Sequence, residues 1–249
     1  MGKELGTAGV DDSTPVHTVT LTSFSMGKYP VTQAQYQAVM GNNPSNFSSN
    51  PASGEVQENR PVEGVSWYNA IVFCNKLSIK EGLSPAYRIS GSTNPSDWGT
   101  VPTSNNSTWN SVVIVAGSNG YRLPTEAQWE YAAKGGNGTP GNYTYSGSNT
   151  IGEVAWYEGN SDLKTHEVGK KKPNGLGIYD MSGNVWEWCW DRYGAYPSGA
   201  QTNPQGAASG GYRVLRGGFW SSNASYVRSV VRLDRYPHYG YGGFRLVRP

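Results

Sequence analysis

Thiols, imidazoles and carboxylates are the groups through which this chain of 249 residues would do chemistry, and they are few and scattered. Its two cysteines, Cys74 in VFCNKL and Cys189 in EWCWD, both lie among apolar residues. That context reads as two buried thiols rather than a disulfide. The three histidines, His17, His166 and His238, fall in unrelated stretches. His17, in the strand-like PVHTV, is expected to be a hydrogen-bonded structural residue. No nucleophile stands beside a base in a pattern that would activate it. Aromatic and small polar side chains instead crowd the C-terminal stretch RGGFWSSNASYVRSVVRLDRYPHYGYGGFRLVRP, which begins at Arg216. Tyrosine gives large contact area with few rotatable bonds, and Ser, Asn and Gly adapt their hydrogen bonding. That mixture suits recognition better than bond making.

The rest of the chain must hold those side chains in place. Seventeen tyrosines, nine tryptophans and 33 glycines, against 15% charged residues, point to a loop-rich α+β globule with an aromatic core. No linker divides it, so one domain over residues 1–249 is expected, acting as a monomer. A net charge of +2 argues against nucleic acid or an anionic membrane as partner. No apolar run reaches membrane-spanning length. The start, MGKELGTAGVDDSTP, is polar and abrupt, which fits an export signal cut away upstream and an exported or cell-surface protein.

Three helices are predicted. Thr32 and Gln35 form a capping-box pattern for a helix that closes at Gly41. Ser66 opens a longer amphipathic run ending at Gly82. Thr125 and Gln128 repeat the capping box before TEAQWEYAAKGG. Strands are predicted in HTVTLTSFSMGKYPV, SPAYRIS, NGYRLP, RVLRGG, YVRSVVRL and FRLV.

Several phrases, GKYPVTQAQY, PVEGVSWYNAIVFCNKLS, YRLPTEAQWEYAAKGG, GLGIYDMSGNVWEWCWD, RVLRGGFW and GFRLVRP, occur in the order found in the formylglycine-generating-enzyme (sulfatase-modifying factor) family. The chain resembles that family from about Pro15 to Arg248. The resemblance implies a C-type-lectin-like fold of the formylglycine-generating-enzyme type. It also implies where chemistry would reside, and there the sequence departs. Members that oxidise a substrate cysteine bind copper through two cysteines whose places are taken here by Ser222 and Val227. Neither side chain is a soft ligand for Cu(I). Iron-dependent relatives need a histidine-rich domain that three scattered histidines do not supply. No cofactor is therefore required, and no catalytic residue is assigned. An oxidoreductase of the family's class is the disfavoured alternative, and an invariant structural or lectin-like module a third.

The resemblance maps a structural calcium site onto the Asp180 and Glu187 side chains and the carbonyls of Gly183 and Val185. Such a ring of hard oxygens suits Ca²⁺. Equally consistent with these residues is an Asp180 that caps a turn and a Glu187 that pairs with a buried arginine. The EPN, QPD and WND tripeptides of calcium-dependent sugar recognition do not occur.

Between Phe219 and Gly243 there is no Lys, Glu, Gln or Met. Asparagine codons whose adenines alone are replaced cannot produce those four residues. With an RGG-x-W border, an asparagine-derived alphabet and a closing GFRLV, residues 216–248 resemble the variable region of a diversity-generating retroelement's target protein. The resemblance implies a ligand-binding surface made of Phe219, Ser221, Ser222, Asn223, Ser225, Tyr226, Val231, Leu233, Asp234, Tyr236, His238, Tyr239, Gly240 and Tyr241. Its ligand would be a protein or cell-surface partner. Arg216, Arg228, Arg232 and Arg245 are expected to be framework, bonding carbonyls and carboxylates.

Overall fold

Capping chemistry sets the helices. The computed structural model describes residues 1–2, 12–137 and 143–249. In chain order the elements are β1 (Val19–Thr20), β2 (Ser25–Met26), α1 (Gln33–Met40), α2 (Trp67–Lys80), β3 (Tyr87–Arg88), α3 (Ser107–Asn110) and β4 (Val113–Ile114). They continue with α4 (Glu126–Ala133), α5 (Ile151–Val154), β5 (Ala155–Trp156), β6 (Ser182–Gly183), β7 (Glu187–Arg192), β8 (Gln201–Thr202), β9 (Arg213–Arg216), β10 (Arg232–Arg235) and β11 (Val247–Arg248). Thr32 and Thr125 each accept from the backbone N–H three residues on, while Gln35 and Gln128 reach back to the cap. Ser66 does the same with Asn69, and α1 ends on a left-handed Gly41. Much of the N-terminal stretch behind the export expectation lies outside the described residues. Among those described, no helix is long and apolar enough to cross a membrane.

One three-stranded antiparallel sheet, in the order β10-β9-β7, organises the interior. Leu215 of β9 stands opposite Trp188 and Leu233, and Arg216 opposite Glu187 and Arg232. Alternation along the strands separates two cores. Trp188, Trp190 and Leu215 face a large aromatic core with Trp67, Phe73, Tyr87 and Phe244. Cys189 and Val214 face a smaller core with Trp129 of α4. Indole N–H groups tie the layers together, Trp67 donating to the Cys189 carbonyl at 2.9 Å and Trp188 to the Val65 carbonyl at 2.8 Å. Both cysteines are buried free thiols, and burial pushes each well above the usual thiol range.

The α4 face of the sheet is ionic. Arg216 and Arg232 lie directly opposite each other on neighbouring strands, a like-charge pair that would repel on its own. Glu126 and Glu130, four residues apart on α4, offset it. Arg232 binds Glu126 through two bonds of 2.6 and 2.9 Å, and Arg216 donates to Glu130 at 2.7 Å. Asp191 sits beside them and accepts the Glu126 backbone N–H at 2.8 Å. Burial, with the Glu126 charge added, pushes its carboxyl up to about 8. Two strand expectations change. NGYRLP makes only an isolated bridge, Arg122 to Val247, because its ends are committed to loops. Of YVRSVVRL only Arg232 and Leu233 join β10, the residues before them being mostly turns. WEWCWD, not predicted as a strand, supplies most of β7.

Candidate ligand-binding face

The C-terminal segment leaves the sheet through Arg216, which is fully buried and donates to the carbonyls of Ser229, Val230 and Val231 at 2.8–3.0 Å. The turn that follows needs glycine. Gly218 has φ +77, and a Cβ there would stand 2.5 Å from Val227 Cγ1. The far border is equally fixed. Phe244 and Arg245 are fully buried, and Arg245 binds both Glu187 carboxylate oxygens at 2.6 and 2.7 Å.

Between these borders the chain presents aromatic rings in two groups. In the first, Phe219 lies 6.4 Å from Tyr241, whose ring carries the Arg235 guanidinium at 4.7 Å. Trp220 meets Phe47 edge-on at 5.1 Å. In the second, Tyr236 is tilted against Tyr212 at 4.3 Å with their hydroxyls bonded at 3.1 Å. His238 and Tyr239 pack beside them, their rings 4.6 Å apart. Tyr226 stands out separately and is exposed. Asn223 is exposed too, its side-chain oxygen accepting the Ser225 N–H to shape the turn. Ser221, Ser225, Leu233 and Asp234 are half-buried at the rim, with Leu233 packed on the large core. Tyr212 and Phe47 join the face from outside residues 216–248, which no reading confined to that segment could have found.

Two residues expected on the surface are buried, and a third is exposed but sterically fixed. Ser222 is buried, its hydroxyl accepting the Phe219 N–H at 3.1 Å and its carbonyl the Glu158 N–H at 3.0 Å. Val231 is fully buried in the large core. Gly240 is exposed but cannot vary, because any Cβ there would sit 2.6 Å from the Gly64 carbonyl oxygen.

A supporting loop underlies the face. Ser161 donates to the Trp220 carbonyl at 2.7 Å. His166 holds that loop in turn, its ring nitrogens 2.8 Å from the Ser161 carbonyl and 2.8 Å from Glu55, with Trp156 stacked on it at 3.8 Å. His17 is structural as well, buried 3.1 Å from the Pro15 carbonyl and edge-on to Tyr196.

The donors expected of a metal site are otherwise engaged. Glu187 accepts from Trp129 as well as from Arg245, and the Gly183 carbonyl accepts the Val185 N–H at 2.9 Å. Asp180 accepts the Gly169 N–H at 2.8 Å, and burial pushes its carboxyl up to about 6. The Arg245 guanidinium on Glu187 is the cation that the turn-and-ion-pair alternative expects, and with it in place Asp180, Gly183, Val185 and Glu187 form that turn and pair rather than an open ring of donors. Ser222 and the fully buried Val227 do not fit copper. Among the described residues no group of three or more His, Cys, Asp or Glu could hold a metal ion. A cavity of about 890 Å³ is lined by Phe24, Met26, Tyr131 and Leu176 among others, and by no residue of 216–248.

Comparison with known proteins agrees with this architecture. The structure of Treponema denticola variable protein 1 superposes with a TM-score of 0.88 at 45% identity, covering 100% of this chain and 92% of that one. A Paenibacillus barcinonensis protein named chaperone protein LppX is 44% identical over 92% of this chain and 81% of its own length. The formylglycine-generating enzyme of Streptomyces coelicolor is 29% identical over 94% of this chain and 81% of its length. The fold is thus of the formylglycine-generating-enzyme type. The family described as "Sulfatase-modifying factor enzyme 1-like domain" matches residues 1–249, and the chain belongs to it.

Proposed function

We propose that this chain is a non-catalytic ligand-binding protein whose C-terminal segment is a display face rewritten by a diversity-generating retroelement. One observation carries the reading. Between borders that are fully buried, most positions reachable from asparagine codons reach solvent, with Tyr226, Tyr239 and Tyr241 38–48% exposed. Exposed aromatics concentrated in one segment are costly unless a partner covers them. The likeness to a protein titled a variable protein supports it. Ser222 and Val227 at the copper-ligand positions count against the enzymatic alternative. On this reading the protein is exported or displayed at the cell surface and acts as a monomer.

The test is simultaneous replacement of Asn223, Tyr226, Asp234, Tyr236, His238, Tyr239 and Tyr241 by other residues accessible from asparagine codons. Surface changes shift stability by less than about 0.5 kcal/mol each, whereas truncating a buried aromatic costs about 3–5 kcal/mol. Most library members should melt near the parent temperature and lose the parent's partner. A library that mostly fails to fold would refute the display face. Stoichiometric copper with turnover of a cysteine peptide would restore the enzyme. The likeness to a protein named a chaperone supports a second reading, in which the aromatic face holds polypeptide clients. Folded library members that keep the same clients would favour it.

A further inference from the structure

The structure assigns a second binding site, apart from the display face: a cavity between the start of α4 and residues 194–207, in which Asp191 and His17 hold the ammonium group of a small primary amine. The cavity measures about 290 Å³, and among the described residues Arg232 is its one lining residue from 216–248. Its first ground is an unpartnered oxygen. Asp191 is 2% exposed, and its Oδ2 accepts the Glu126 N–H at 2.8 Å. Among the described residues Oδ1 has no hydrogen-bond partner, yet it is not sealed in, because the residue lines the cavity. A buried carboxyl oxygen in that state is a place for a donor. His17, 7% exposed on the same cavity, adds a second acceptor. Its Nδ1 stands 3.1 Å from the Pro15 carbonyl and so carries the ring proton, which leaves Nε2 an acceptor in the neutral ring.

The second ground is that the cationic donors along the wall are already spent. Arg232 directs Nε and Nη2 to Glu126, and Nη1 to the carbonyls of Asp12 and Gly194. Arg192 turns to the Asn110 carbonyl at 2.7 Å, and the Met1 amine to the His17 carbonyl at 2.8 Å. Tyr196 donates its hydroxyl to Glu126 at 3.0 Å. An entering group must therefore bring hydrogens to two acceptors, one of them a carboxylate, and an ammonium is rich in them. A bare metal ion is not served, since among the described residues no group of three or more His, Cys, Asp or Glu could hold one. Pro197, Pro204 and Ala207 offer an apolar wall to a short hydrocarbon body, and the volume is at the small end for ligand sites. Burial, with the Glu126 charge added, keeps Asp191 protonated up to about 8, so an ammonium that binds Oδ1 expels that proton to solvent. The other charged or titratable groups around Asp191 are Arg232 of β10, Arg213 of β9, Arg122 and Cys189, with His17 and Tyr196 on the cavity wall.

The experiment uses the full chain carrying ¹³C-labelled aspartate, titrated separately with benzylamine, benzyl alcohol and benzoate between pH 6 and pH 8.5. Benzylamine should saturate, bind about tenfold more tightly per pH unit until Asp191 is ionised, and lower the pH midpoint of the Asp191 Cγ signal. The alcohol and the anion should do none of these. Asp191→Asn keeps the acceptor for the Glu126 N–H and should weaken benzylamine about tenfold or more, with the pH dependence gone. His17→Asn keeps a donor toward Pro15 and takes the imidazole out of the cavity; it should weaken benzylamine and leave the pH dependence in place. Tyr226→Ser, on the display face, should change nothing. Should either cavity variant melt early, the Asp191 midpoint in the parent protein decides. Equal binding of benzyl alcohol, preference for benzoate, or an Asp191 midpoint indifferent to benzylamine would overturn the inference. Saturation by no probe would leave the cavity to water and overturn it equally. The replacement library of the display face should bind benzylamine as the parent does, so this site and that reading stand or fall separately.

Discussion

Arg245→Ala isolates the force that holds the end of the C-terminal segment. In the native protein Arg245 is fully buried and makes two bonds to Glu187, with further bonds to the carbonyls of Gly27 at 3.1 Å and Tyr179 at 3.0 Å. Truncation leaves the Glu187 carboxylate, whose side chain is 1% exposed, with the Trp129 indole at 2.7 Å as its remaining hydrogen-bond donor among the described residues. Removing one partner of such a buried pair costs about 3–5 kcal/mol, most of it the stranded charge. For a chain of this size that lowers the melting temperature by roughly 10 °C. The double variant Glu187→Gln with Arg245→Met removes both charges and keeps an acceptor for Trp129, so it should lose less than Arg245→Ala alone. Urea titrations at constant slope would give both values. A loss below about 1 kcal/mol for Arg245→Ala would refute the buried-pair account. A calcium arm belongs to the same experiment. Because the guanidinium occupies Glu187, chelator followed by calcium should leave the melting temperature unchanged. A rise on adding calcium would mean that the ion displaces Arg245, since a ligand that binds only the native state stabilises it.

Two further outcomes follow from other sites. Asp191 titrates near 8 in the folded protein, above its unfolded value, so it binds a proton on folding and its stabilising contribution fades as pH rises from about 4 to about 8. Asp191→Asn keeps the acceptor for the Glu126 N–H and should flatten that part of the stability–pH curve, with its gain over the parent largest above pH 8; unchanged curvature in urea titrations would contradict this. Gly240→Ala pushes a Cβ against the Gly64 carbonyl and should cost about 1–3 kcal/mol, although the residue is exposed. A melt indistinguishable from the parent's would mean the two loops separate freely.

What the sequence disclosed followed from how local the signal was. Helix starts are written in a few adjacent residues, so Thr32 with Gln35 and Thr125 with Gln128 were readable and correct in both partners. β7 left no such mark. Glu187–Arg192 is covered on both faces, so every position but the last is buried, and its Glu and Asp, alternating with Trp, mark no solvent face. YVRSVVRL has strand composition throughout, yet Arg216 takes the carbonyls of residues 229–231 and leaves only the last part free to pair with β9. The borders of the C-terminal segment were legible because paired glycines and buried arginines have few structural meanings. Its interior was not, because a codon alphabet says what a position can become and nothing of which way it points. Ser222 and Val231 turned inward for that reason. Tyr212 escaped notice because strand pairing, not sequence proximity, brings it to Tyr236.

The segment is fastened to the rest of the protein largely through its own oxygen atoms. Arg216 grips the carbonyls of residues 229, 230 and 231, Ser161 that of Trp220, and main-chain N–H groups of Glu158, Tyr68 and Val65 take those of Ser222, Pro237 and Gly242. A peptide carbonyl survives every substitution, even to proline, which removes an N–H but leaves the oxygen in place. Anchorage of this kind is blind to side-chain identity. Donors of the frame thus meet acceptors that no side-chain change removes, while the N–H bonds of Trp220 to Asn184 and of Ser229 to Thr144 are ones that proline would break.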